Sequence, residues 1–150
     1  MAQIFQLLED NGVCTVAELE EYAANGELGD YWFLEGVERG HKYCLEGYLF
    51  PDTYEFYTDS KPSQIVYKLL NRFDNVFKEE FYTRSQELGY TVDEIVILAS
   101  MVEKEARLYN EFEQVSSDFH NRLRNKANYP FLESDATIMY AIHHDTGTRK

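Results

Sequence analysis

The spacing of apolar residues predicts a chain built mainly from helices. In the clearest segment, Thr91 to Leu108, they recur on one face at Ile95, Leu98, Ala99, Val102 and Ala106. Val96, Ile97 and Met101 fill much of the remaining circumference, which is typical of a buried helix. Thr91 and Glu94 have the spacing of a capping box, which places the start of this helix.

The same reasoning predicts helices elsewhere, at 63–80, 81–88, 111–126, around Ile138 and as two short helices within 1–25. Thr15 and Glu18 supply a second capping box. Residues 44–57 differ, because apolar and aromatic side chains bounded by Gly47 and Pro51 favour extended segments around a turn. We therefore expect an α+β fold, mostly helical, with a few short strands around 45–57.

Composition indicates a globular protein, with 44% hydrophobic and 15% aromatic residues. The formal net charge is −13, from 27 acidic against 14 basic residues, and no basic stripe appears. A nucleic-acid backbone or an anionic membrane surface is therefore an unsuitable partner.

Cysteine and histidine patterns do not indicate a metal or cofactor. Cys14 and Cys44 form no CxxC motif, and their spacing leaves open whether they pair or are buried apolar residues. His143, His144 and Asp145 are adjacent, and neighbouring histidines cannot share one helix face, so no metal site is expected there. No apolar run approaches the roughly 18 residues of a transmembrane helix, and the N-terminus lacks a signal pattern.

Two acids near the end of the Thr91–Leu108 segment, Glu103 and Glu105, are candidates for chemistry. At about 100° per residue they lie on opposite edges of the apolar face. A carboxyl group at the edge of a buried helix is partly desolvated and can hold a proton for general acid catalysis. The alternative is a solvated helix end in which both acids pair with Lys104 and Arg107.

Four segments together resemble one protein family, the MltG/YceG-like endolytic murein (peptidoglycan) transglycosylases. They are LEGYLFPDTYEF (45–56), ILASMVEKEA (97–106), FHNRL (119–123) and LESDATIMYA (132–141). The early stretch IFQLLEDNGV is similar to the end of the LysM-like subdomain of that family. The resemblance implies a lead-in over 1–43 and the N-terminal part of a catalytic domain over 44–150.

This resemblance implies a lytic transglycosylase, a lyase that cleaves the MurNAc–GlcNAc linkage of peptidoglycan and leaves 1,6-anhydroMurNAc ends. Glu103, the first glutamate of the VEKE motif, would be the general acid/base, and Glu105 a supporting residue. No cofactor is implied. The parent protein would be anchored at the outer face of the bacterial cytoplasmic membrane, with glycan strands as substrate and cell-wall synthesis proteins as possible partners.

Polar residues of the matching segments are candidates for binding sugars, namely Asn121, Ser134, Asp135 and Thr137. Tyr54 is a further candidate to face a glycan. Simpler structural roles stay open, since Asn121 with Arg122 could tie a helix to a loop, and Ser134 or Asp135 could cap a helix.

The chain also departs from the family pattern. Glu133 and Ala136 stand where the family usually has Gln and Pro, and an extra acid near the cleft could alter the catalytic glutamate's surroundings or the fit of an anionic stem peptide. The chain is expected to lack the family's membrane helix and the C-terminal part of the catalytic domain. The first hypothesis is therefore a transglycosylase core, and the second a non-catalytic peptidoglycan-binding or scaffold fragment. A third, an intracellular acidic adaptor with helical grooves, is supported only by the net charge.

Overall fold

Helices make up the regular secondary structure of residues 1–146, the part of the backbone that the computed structural model describes; side chains are described through residue 142. The α-helices in this part are α1 Ala2–Asp10, α2 Val16–Asn25, α3 Pro62–Val76, α4 Glu79–Leu88, α5 Val92–Glu105, α6 Phe112–Arg124 and α7 Asp135–Thr146. Short 3₁₀ turns occur at Trp32–Leu34 and Tyr109–Glu111. The helices predicted from apolar spacing are therefore confirmed, with ends shifted by a few residues.

The prediction of an α+β fold is wrong, because residues 1–146 contain no strand. Around residues 50–57 the backbone is tied to its own side chains and to α3. The Thr53 N–H donates to Asp52 Oδ1 at 2.8 Å, and the Tyr54 hydroxyl donates to the Phe50 carbonyl at 2.6 Å. Lys68 of α3 donates to the Glu55 carbonyl at 2.5 Å. These partners take the place of the neighbouring strand that a sheet would require.

The chain divides into two compact units, Met1–Asp93 and Glu94–Lys150. The boundary predicted at residue 43 came from family resemblance and stays a prediction.

The first unit is built around aromatic side chains. Phe33 is 1% exposed, and its ring centroid lies 4.8 Å from that of Phe73 and 5.9 Å from that of Tyr48. The Tyr48 hydroxyl donates to Asp93 Oδ1 at 2.7 Å, so the polar end of this buried side chain has a partner. Burial, with Asp93 adding to it, raises the pKa of Tyr48.

The second unit has a much smaller apolar interior. Within residues 94–142, the buried apolar side chains are Met101 of α5 and Phe119 of α6. The prediction that α5 is buried nearly all round is wrong, since Ile97 is 50% exposed. The predicted apolar face of α6 is confirmed at its centre by Phe119, 5% exposed.

The structure shows the capping box at the start of α2 and the state of the two cysteines. The Thr15–Glu18 capping box is confirmed: the Glu18 N–H donates to Thr15 Oγ1 at 3.3 Å, and the Thr15 N–H donates to Glu18 Oε2 at 3.2 Å. Cys14 and Cys44 are free thiols, and buried Cys44 donates to the Ala23 carbonyl at 3.0 Å.

Two further sequence expectations concern membranes and metals. None of the helices described is both long and apolar enough to cross a bilayer. The side chains of His143, His144 and Asp145 lie outside the described residues.

Candidate functional site

A groove of about 840 Å³ lies in the second unit. It is bounded by the end of α5 with the link that follows, by α6, and by the loop before α7. The lining residues are Glu105, Arg107, Glu111, Gln114, Val115, Ser117, Asp118, Phe119, Asn121, Arg122, Leu132 and Glu133. Most of these side chains are polar or charged, which suits a hydrophilic ligand better than an apolar one.

Glu105, the last residue of α5, is a half-buried carboxylate at this groove. Its Oε1 accepts a hydrogen bond from the Ser134 hydroxyl at 2.8 Å and a longer one, 3.4 Å, from the Ala136 backbone N–H. Both bonds use the same oxygen, so Oε2 is the oxygen left for a ligand. The carboxylate is thus held in one orientation at the N-terminus of α7, where a negative charge is favoured.

Ser134 is placed by the way α7 begins. Its hydroxyl oxygen accepts from the Thr137 N–H at 3.3 Å and from the Thr137 hydroxyl at 3.2 Å, while its own proton goes to Glu105. This is the geometry of an N-cap, and it confirms the capping role considered for Ser134 from sequence. Ser134 is 5% exposed, and its sugar-binding role stays a prediction.

Arg122 connects α6 to the loop before α7. Its Nη1 donates to Glu133 Oε2 at 2.5 Å, and its Nε donates to Asp118 Oδ2 at 3.0 Å. Hydrogen bonds to Glu133 and then Asp118 raise the pKa of Arg122, so the guanidinium is charged at any working pH. Of the alternative in which Asn121 and Arg122 tie a helix to a loop, the part that concerns Arg122 is confirmed.

Glu111 organises the third side of the groove. Its Oε2 accepts from the backbone N–H groups of Arg107 and Leu108 at 2.9 and 3.1 Å. These bonds fix the turn between α5 and α6, and with it the position from which Arg107 reaches the groove.

Comparison with known proteins identifies the family of the chain. A model of the YceG-like family matches residues 1–150. The chain belongs to the YceG-like family. It is 31% identical over 100 residues to an endolytic murein transglycosylase of Bacillus subtilis (strain 168), a match covering 67% of this chain and 27% of that protein. It is 32% identical over 104 residues to an endolytic murein transglycosylase of Streptococcus pneumoniae serotype 2, covering 69% of this chain and 18% of that protein.

The chain thus spans under a third of the length of either YceG-like relative. No solved structure matches it.

The structure distinguishes the two glutamates of the VEKE motif. Glu105 lines the groove, whereas Glu103 is exposed and is not among the lining residues. Of the residues expected to bind sugar, Asn121 is exposed and lines the groove. Asp135 and Thr137 are exposed in the first turn of α7 and do not line it. The catalytic and binding roles of these residues stay predictions.

Tyr54, also expected to face a glycan, belongs to the first unit. Its hydroxyl donates a hydrogen bond to the Phe50 carbonyl, so the polar end of the side chain has a partner within the protein. Its sugar-binding role stays a prediction.

Sequence reasoning did not assign Glu111, Arg107 or Asp118 to the site. Asp118 and Arg122 are four positions apart on one helix, a spacing from which their ion pair could have been inferred. The sequence indicated a role for Glu111 less clearly. An acidic residue three positions after Leu108 is common at the start of helices and does not by itself indicate a site.

Proposed function

We propose that this chain forms part of the cleft of a lytic transglycosylase, with Glu105 as its general acid/base. The bond broken would be the MurNAc–GlcNAc linkage of peptidoglycan, and the product a 1,6-anhydroMurNAc end. The observation that supports this best is the half-buried Glu105 carboxylate, fixed at a polar groove by Ser134 and the Ala136 N–H. The names of the two relatives supply the substrate class.

The chemistry needs only one carboxyl group. Protonated Glu105 would give its proton to the glycosidic oxygen as the bond to muramic C1 breaks. The C6 hydroxyl of the same sugar then bonds to C1, and its proton passes to the carboxylate, which regenerates the acid. Hydrolysing glycosidases need a second carboxylate to supply a nucleophile or to activate water, and here the substrate's own hydroxyl takes that part.

The contacts of Glu105 suit the first of these steps. As the acid loses its proton, negative charge develops on the carboxylate. Two donors already aimed at Oε1 stabilise that charge without having to reorganise, which lowers the barrier to proton donation. Exposed Glu103 lacks such a setting, so the geometry favours Glu105 over the assignment made from sequence.

A matched pair of variants tests the assignment. Glu103→Gln and Glu105→Gln make the same change two positions apart on one helix. Incubated with uncrosslinked glycan strands and analysed by mass spectrometry, the wild type should release 1,6-anhydroMurNAc ends. The activity of Glu105→Gln should be lower by about 100-fold or more. The activity of Glu103→Gln should stay within about threefold of wild type, because Glu103 is exposed and does not line the groove.

Other outcomes would redirect the proposal. An inactive Glu103→Gln beside an active Glu105→Gln would return the catalytic role to Glu103. Strand binding by the wild type without any anhydro ends would instead indicate a binding or scaffold fragment. Membrane anchoring of the parent protein and association with cell-wall synthesis proteins stay predictions.

A further inference from the structure

The charge of the groove is unevenly distributed. Four carboxylates and two guanidinium groups line it: Glu105, Glu111, Asp118 and Glu133, with Arg107 and Arg122. Two of the acids are committed to backbone donors, Glu111 to the turn after α5 and Glu105 in part to α7. The remaining two, Asp118 and Glu133, both contact Arg122.

The guanidinium of Arg122 is therefore shared by two carboxylates. Glu133 Oε2 lies 2.5 Å from Nη1 and Asp118 Oδ2 lies 3.0 Å from Nε, so two edges of the planar group are occupied. The Arg122 guanidinium carbon also lies 5.5 Å from the ring centroid of Tyr129, which fixes its plane. An anionic ligand that binds at Nη1 therefore has to compete with Glu133.

Glu133 is the carboxylate best placed to control such access. It adopts a left-handed backbone conformation, φ 56°, which glutamate uncommonly does. It lies directly before Ser134, the residue that orients Glu105, and its own side chain is 69% exposed at the groove. A ligand substituent that binds near Glu105 therefore encounters the Glu133 carboxylate and an Arg122 already paired with carboxylates.

We propose that Glu133 determines specificity by occupying Arg122, so that the groove disfavours glycan strands whose stem peptides carry free carboxylates and favours strands in which these groups are amidated. The inference rests on the proposed function, since it takes the groove to bind peptidoglycan strands. With glutamine at position 133, the contact with Nη1 loses its charge assistance, so that a ligand carboxylate can displace it while Asp118 stays on Nε. Arg122 thus changes from a cation shared by two carboxylates to one at which a ligand carboxylate competes with a neutral amide.

Equilibrium binding of two matched strands tests this inference. Uncrosslinked glycan strands of equal length, one with free stem carboxyl groups and one with the same groups amidated, are titrated by calorimetry into wild type and Glu133→Gln. Wild type should bind the amidated strand more tightly. Glu133→Gln should shift the ratio of the two affinities by about fivefold towards the free-acid strand, a size typical of one partly exposed charge-assisted contact.

Glu111→Gln is the control for net charge. It also removes one negative charge from the groove lining, and its amide oxygen can still accept from the Arg107 and Leu108 N–H groups, but it leaves Arg122 paired. We expect the ratio of the affinities for the two strands to be the same in this variant as in wild type. Raising the ionic strength should shrink the shift seen with Glu133→Gln, because a partly exposed charge contact is screened.

The results separate this inference from the proposed function. An unchanged ratio in Glu133→Gln, or an equal shift in Glu111→Gln, overturns the specificity role, even if the wild type still releases anhydro ends. If neither strand binds to any variant, the specificity role and the proposed function fall together. A shift confined to Glu133→Gln supports the role whether or not the chain turns the strands over.

Discussion

The two units of the molecule use their side chains differently. In Met1–Asp93, eighteen apolar residues are buried, whereas among residues 94–142 only Met101 and Phe119 are. The first unit is thus stabilised mainly by removing apolar surface from water. Polar contacts organise the second unit, including the bond from Ser134 to Glu105 and the ion pair of Arg122 with Glu133.

This difference shows where a site can be built. An aromatic interior such as that around Phe33 has no room for a polar ligand, and its side chains are used up in packing. The groove of the second unit keeps carboxylates and guanidinium groups within reach of solvent. Apolar side chains of the second unit are largely exposed to solvent. In α7, for example, Ile138 is 57% and Met139 50% exposed.

Truncating one apolar side chain in each unit gives the largest expected effect. Phe33→Ala removes a ring that is 1% exposed and should lower the free energy of unfolding by about 3–5 kcal/mol. Ile138→Ala, at a position that is 57% exposed, should change it by less than about 0.5 kcal/mol. Urea denaturation, followed by circular dichroism, measures both changes.

Fluorescence of Trp32, the single tryptophan of the chain, adds a local report on the first unit. Its ring centroid lies 5.6 Å from that of Phe33, so the truncation should shift the fluorescence transition as well. Comparable losses from Phe33→Ala and Ile138→Ala would contradict the contrast between the units.

Removing the Ser134 hydroxyl should have a smaller, local effect. Ser134→Ala takes away the N-cap of α7 and a donor to Glu105, and should cost about 1–2 kcal/mol. Amide hydrogen exchange should accelerate in the first turn of α7 and stay unchanged in α3. Ser100→Ala is the matched control, since the Ser100 hydroxyl is exposed and bonds only back to the Ile97 carbonyl. Faster exchange in α7 with Ser100→Ala would remove the special role of Ser134.

The sequence was most informative where structure is local. Apolar spacing placed the helices, and the capping box at Thr15 followed from two residues three positions apart. Strands were expected at 45–57 because aromatic and apolar residues alternate with turn signals, but such a pattern cannot show whether a partner strand exists. The side chains of α3 supply the partners instead.

For the site, the sequence pointed to the end of α5 but could not distinguish between its two glutamates. Glu103 and Glu105 are chemically identical and two residues apart, so only the fold shows which one lines the groove. The contact that singles out Glu105 joins residues separated by 29 positions, a distance over which local patterns carry no information. The contact between Arg122 and Glu133 spans 11 positions, which is also beyond the reach of helical spacing.

The smallest expected effect concerns acid sensitivity of the second unit. Burial, and then the charge of Arg124, lower the pKa of His120 on α6. A histidine with a lower pKa in the folded protein binds a proton more readily when unfolded, so its contribution to stability is lost as the pH falls below about 6.5. Hydrogen exchange of α6 should therefore rise between pH 7.5 and 5.5, after correction for intrinsic rates, by less than the Ser134→Ala effect. His120→Gln should flatten this dependence, and an unchanged slope in that variant would assign the acid sensitivity to other groups.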